Sequence, residues 1–115
     1  MANNCLFCKI ADGSIKSDIV YSNDHVVAFR DINPQAPVHV LVIPRRHLEN
    51  ATAVLPEDDA MVAELLRAAA EVARQEGIAG SGYRLVINNG PDAEQSVPHL
   101  HVHVLGGRPM SWPPG

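Results

Sequence analysis

A chain of 115 residues is long enough for one domain with a small core, and residues 1–115 are read as a single unit. Its 46% hydrophobic and 19% charged residues are ordinary for a globular protein, and no apolar run approaches membrane-spanning length, so no membrane partner is expected. A net charge of −4 and only 4% aromatic residues argue against a nucleic-acid strand as the main partner, which would call for clustered Lys and Arg or a stacking platform.

The amino terminus, Met1-Ala2-Asn3-Asn4, lacks a basic segment followed by an apolar stretch, so no secretory leader is expected and the cytoplasm is the default compartment. Cys5 and Cys8 are three positions apart and would close only a very small disulfide loop, a poor staple for a domain. Leu6 to Ala11 is predicted as a short helix stopped by Gly13. Ile19 to Tyr21 and His25 to Phe29 are predicted as strands joined through Ser22-Asn23-Asp24. Pro34 and Pro37 mark an irregular loop, because proline cannot donate to a central ladder. Val38 to Ile43 is a third strand, ended by Pro44, with His39, Leu41 and Ile43 on one face.

Pro56 to Glu76 carries the clearest helical pattern. Pro56 suits the first helical position, and Glu57, Asp58 and Asp59 oppose the positive end of the dipole. Met61, Leu65, Ala68 and Val72 recur at helical spacing, as do Val62, Leu66, Ala69 and Ala73. Glu64, Arg67, Glu71 and Arg74 form a charged outer stripe, and Gly77 can end the helix. Tyr83 to Asn88 is a fourth strand, Asn89 to Val97 a loop, His99 to Leu105 a fifth strand, and the proline-rich tail from Arg108 is extended. The class is α+β: a mainly antiparallel five-stranded sheet with one long helix and a short amino-terminal helix.

The fifth strand holds the most telling pattern. In His99-Leu100-His101-Val102-His103-Val104-Leu105, three histidines alternate with apolar residues. A side-chain period of two puts all three rings on one face, with neighbouring histidine Cα atoms ~6.6 Å apart, while Leu100, Val102 and Val104 pack behind. A core face or a solvated face would choose other residues. Three aligned imidazoles suit nucleophilic attack, proton transfer or metal binding.

This motif resembles the signature of the histidine-triad (HIT) nucleotide hydrolases and transferases. Further stretches are similar to the nucleotide-binding branch of that family: Phe7 to Ile10, Ala28 to Pro37, His39 to Pro44, Gly82 to Leu85, Leu105 to Arg108, and the ending Trp112-Pro113-Pro114-Gly115. The resemblance implies a sheet continued across a homodimer and a purine-nucleotide substrate. It implies hydrolysis at the α-phosphate of nucleoside 5′-phosphoramidates, such as adenosine 5′-phosphoramidate, and of acyl-adenylates. His101 would be the nucleophile, forming a covalent nucleotidyl-imidazole that water then cleaves to release a nucleoside monophosphate. A backbone carbonyl near His99 would fix its other nitrogen. His103 would donate to a phosphate oxygen, His39 would complete the ring cluster, and Ser96 would position the scissile group.

For the nucleotide, the resemblance implies Asp31 at the ribose, Ile32 and Phe29 beside the base, and Asn88 and Gln95 near the ribose and phosphate. Trp112 belongs to a tail that would lie near the partner subunit's site. Two departures stand out. Ala93-Glu94-Gln95 replaces a small-Gly-Gln segment, so Glu94 is expected to point outward and to weaken phosphate binding slightly. Pro98 stands where many relatives carry an aromatic residue. Some bacterial relatives pair two amino-terminal cysteines with a later histidine and the first triad histidine. By that resemblance Cys5, Cys8, His47 and His99 would hold a structural Zn²⁺, closed to water and not required for the chemistry. Reduced metal-free thiols and a redox pair remain open, although no thioredoxin-like context surrounds Cys5 and Cys8. The competing functions are a dinucleoside polyphosphate hydrolase of the fragile-histidine-triad type, a non-catalytic purine-nucleotide-binding module and a metallochaperone.

Overall fold

Alternation along the strands decides what each face of the sheet covers. The computed structural model describes residues 4–115, so the reading of Met1-Ala2-Asn3 for a leader lies outside the described residues. In chain order the elements are α1 (Leu6–Ala11), β1 (Ile19–Ser22), β2 (Val26–Arg30), β3 (Val38–Pro44), α2 (Asp59–Gln75), β4 (Tyr83–Val86) and β5 (Val102–Gly106). The five strands form one sheet in the order β1-β2-β3-β5-β4, and every neighbouring pair is antiparallel. The α+β class is therefore as expected.

Val26, Ala28, Val40, Val42, Val102 and Val104 face α2 and bury its Leu65, Ala68, Ala69, Val72 and Ala73. Val27, Phe29, Leu41 and Ile43 point the other way and pack on Phe7 and Ile10 of α1. Small alanines bring α2 close to the sheet, and burial of this apolar area is the main stabilising term. No helix among the described residues is long and apolar enough to cross a membrane.

Several boundaries differ from expectation, each for a local reason. His25 belongs to the turn, because its N–H and that of Val26 both donate to Asn23 Oδ1, at 2.8 and 3.0 Å. Ser22, expected in that turn, ends β1. Pro56–Asp58 is a tight 3-10 turn closed by Asp58 N–H donating to Leu55 O at 2.8 Å, so α2 begins only at Asp59. Leu66, read as core, is 54% exposed: α2 buries Leu65, Ala68, Ala69, Val72 and Ala73 against the sheet, and Leu66 lies outside that stripe. β4 ends at Val86 instead of Asn88, and β5 starts at Val102 instead of His99. Pro98 has no N–H to give, His99 N–H donates to Val97 O at 2.8 Å, and Leu100 N–H donates to Leu48 O at 2.7 Å. The first two triad histidines are therefore held by loop contacts and only the third by a sheet ladder.

Candidate active site and metal centre

Although β5 begins late, the alternation survives through the loop. Leu100 packs with the α2-side core, and the three rings lie on the opposite side, His99 and His101 against Phe7 and His103 against His101 and His39. The edge of the Phe7–His101 pair has ring centroids 5.1 Å apart, and His101 and His103 are 5.0 Å apart. His103 sits opposite Leu41 of β3, and His39 of the same strand opposite Leu105. His39, His99 and His101 are buried.

The hydrogen-bond partners assign the protons on these rings. His101 Nδ1 is 2.7 Å from His99 O. A carbonyl only accepts, so Nδ1 carries the hydrogen and Nε2 keeps its lone pair. Gln35 N–H donates to His39 Nδ1 at 3.0 Å, so the hydrogen of a neutral His39 is on Nε2. That Nε2–H donates to His103 Nδ1 at 2.9 Å, leaving the His103 hydrogen on its own Nε2. Burial pulls His39 below the ordinary histidine range, against the opposing pull of Asp31, whose Oδ2 is 3.4 Å from His39 Nε2. Burial, then the neighbouring His101 and His39, push His103 down to about 4. Neutral rings at pH 7 are what the hydrogen-bond chain requires.

A cavity of about 290 Å³ opens beside these rings, near the lower end of ligand-pocket sizes. Of the residues singled out in the sequence, His101, His103, Ser96, Asp31, Ile32 and Phe29 line it. His39 stands behind His103. Asn88, Gln95 and Trp112 are outside the wall. Gln95 is occupied by its own loop: Oε1 accepts from Gly90 N–H at 2.9 Å, and Nε2 donates to Glu49 O and Val97 O. Trp112 is 81% exposed on the tail. Sequence reading missed the far wall, made by Leu6, Ile10, Ile15, Lys16, Ser17 and Arg30. The spacing of Leu6, Phe7 and Ile10 on one helical stripe was the available signal.

Behind the triad, Cys5, Cys8, His47 and His99 come together, with one ligand atom of each lying within 4.8 Å of all the others. His99 Nδ1 is 3.2 Å from Cys5 Sγ, 3.5 Å from Cys8 Sγ and 3.1 Å from His47 Nδ1. His99 Nε2 donates to Pro44 O at 2.9 Å, which aims the Nδ1 lone pair into the cluster. Burial and the neighbouring Cys5 push the Cys8 thiol up to about 11, as expected where two sulfurs meet without a counter-charge. Two thiols and two imidazoles at this separation form a donor set that allows a tetrahedral metal site. Asp31, His39 and His103 also converge, but they belong to the hydrogen-bond chain above.

A carbonyl-anchored imidazole with its free nitrogen beside a cavity, backed by two further rings, defines a histidine-based hydrolase site. The HIT domain family model matches residues 12–110, and the chain belongs to that family. Across 96% of its length it is 46% identical to the purine nucleoside phosphoramidase of Escherichia coli K12, covering 92% of that protein, and is similar to that branch. A 14 kDa zinc-binding protein of Zea mays is 49% identical over 96% of this chain and 87% of its own. The crystal structure of a HIT family hydrolase from Legionella pneumophila Philadelphia 1 superposes with a TM-score of 0.95 at 47% identity, covering 97% of this chain and all of that one.

Proposed function

We propose that this protein hydrolyses purine nucleoside 5′-phosphoramidates through a covalent intermediate on His101. The observation that carries the reading is the 2.7 Å contact from His101 Nδ1 to His99 O, which leaves Nε2 as the nucleophile at the cavity wall. Nε2 attacks the α-phosphorus, and the P–N bond breaks as the nitrogen takes a proton from solvent and leaves as the free amine. His103 Nε2–H, fixed by the chain from Gln35 through His39, donates to the phosphoryl oxygens as charge builds on them. Ser96 holds the scissile group, and Asp31 accepts from the ribose hydroxyls. Leu6, Ile10 and Ile15 of the far wall take the base. Water then attacks the nucleotidyl-imidazole and the nucleoside monophosphate departs.

Zn²⁺ would be held by Cys5, Cys8, His47 and His99. With four protein ligands it would cross-link α1 to the segments that follow β3 and precede β5, and would leave no open position for chemistry. Free cysteines fit a cytoplasmic setting, and the exposed β4 edge fits a homodimer. Elemental analysis of protein purified without added metal should give about one zinc per chain; a ratio near zero overturns the zinc assignment.

Rapid quenching with adenosine 5′-phosphoramidate, followed by mass spectrometry, tests the reaction. The expected result is a nucleotidyl adduct on His101 and, for His101→Ala, a loss of about 10³-fold or more in kcat with AMP binding retained. Turnover confined to dinucleoside polyphosphates would move the assignment to that substrate class. No turnover of either class, with AMP still bound, would leave a binding module.

A further inference from the structure

The cavity crosses the sheet. His101 and His103 stand at its β5 side, Leu41 marks β3, Phe29 and Arg30 mark β2, and Ile15, Lys16 and Ser17 belong to the segment leading into β1. Three strand spacings separate the ends, ~14 Å. A nucleotide with its phosphorus at His101 and its ribose at Asp31 therefore directs its base toward residues 15–17. Half of the far wall, Leu6, Ile10 and Ile15, is aliphatic and will pack on any purine. It also holds two cations. Arg30 is occupied, donating to both Glu76 carboxylate oxygens at 2.7 and 3.0 Å and lying 3.2 Å from Asp18. Lys16 is exposed and, among the described residues, has no carboxylate within 4.0 Å and no side-chain hydrogen bond.

We propose that Lys16 is a specificity-determining residue that makes this site prefer 6-oxopurine nucleotides over adenine nucleotides. An ammonium is donor-only. Guanine and hypoxanthine offer it two acceptors side by side, O6 and N7. Adenine replaces O6 with an amino donor, which an ammonium cannot satisfy. The inference rests on the cavity being the nucleotide site and deepens that reading by naming the base. Asp31 and the histidine cluster are indifferent to the base, so discrimination has to come from the far wall.

The test compares the phosphoramidates of AMP, GMP and IMP, each with the same amine, at low ionic strength. Wild type should show kcat/KM for the guanosine and inosine compounds about fivefold above adenosine, the lower part of the range for a direct base contact because this lysine is exposed. Inosine lacks the 2-amino group, so equal preference for guanosine and inosine locates recognition at O6 and N7. Lys16→Met should bring the ratio to near one, Lys16→Arg should preserve it, and Kd values for GMP and AMP should move the same way. A flat ratio in wild type, or one unchanged in Lys16→Met, overturns the inference and leaves the phosphoramidase reading standing. Failure to bind or turn over any of the three compounds overturns that reading, and this inference with it.

Discussion

Glu94 holds a backbone conformation that glycine would choose. Its φ of 59° and ψ of 43° are left-handed, at the end of the 3-10 turn Pro91–Ala93 and two residues before Ser96. The side chain costs the backbone ~1–2 kcal/mol there, partly offset by the greater freedom glycine has when unfolded. Glu94→Gly should raise stability by about 0.5–1 kcal/mol in urea unfolding and increase kcat/KM for an anionic phosphoramidate at low salt. An unchanged or lower kcat/KM would show that the carboxylate does not weaken phosphate binding. Histidine protonation gives a second expectation. His103 titrates at about 4 in the fold against 6.5 in a free chain, so the unfolded state binds more protons between those values. Stability is full above pH 6.5 and falls as pH drops toward 4; His39 and His99 shift in the same direction because they too are buried. Urea unfolding at pH 7 and pH 5 should cost wild type about 1–2 kcal/mol more than it costs His103→Gln. Equal losses would mean that His103 takes up its proton as readily in the fold as in the unfolded chain. The comparison is between the two losses, because every other residue is the same in both proteins.

At the scale of elements, the core of β3, β5 and α2 was legible because its residues follow one period each, two for the strands and 3.6 for the helix. What stayed hidden was where a ladder stops. The sequence of His99 to Leu105 alternates without a break, yet Pro98 and the Leu48 carbonyl draw residues 99–101 out of the sheet. The triad could be placed on one face from its pattern alone, since alternation fixes direction with or without pairing. The far cavity wall could not, because Ile15, Lys16 and Ser17 lie in the irregular segment between α1 and β1, whose path no periodicity specifies. The junction of β5 with the exit of α2 shows how tight the packing is. A Cβ added at Gly106 would lie 2.6 Å from Ile78 Cδ1 and 3.2 Å from Ile78 Cβ. Gly106→Ala should therefore destabilise by about 1–3 kcal/mol through overpacking. Ile78→Val removes the nearest atom, so the double variant should be less destabilised than the two single losses added together. Additive losses in a double-mutant cycle would place the cost elsewhere.

The whole molecule leaves one sheet edge open. β4 pairs only with β5, so its outer N–H and C=O groups have no strand beside them. Register puts Tyr83 opposite Gly106 and Leu85 opposite Val104, on the face that α2 covers elsewhere. α2 makes its main contacts with the other four strands, and Tyr83, Leu85 and Ile87 are 37%, 38% and 48% exposed, with Leu66 on the helix 54% exposed. An unpaired edge flanked by an apolar row is a template for a second strand. The β1 edge differs, because α2 packs on it and Gln75 Nε2 donates to Val20 O at 3.1 Å. Pairing of β4 with β4 of a second copy would join the two sheets about a twofold axis and cover the aliphatic row at the same time. Sedimentation equilibrium at micromolar concentration should accordingly give about twice the 12.4 kDa chain mass. Leu85→Lys puts a charge into that row and should shift the mass toward 12.4 kDa, whereas Ile19→Lys, on the opposite edge, should leave it doubled. A wild-type protein that sediments as a single chain throughout, or a Leu85→Lys variant as massive as wild type, would remove β4 as the joining edge.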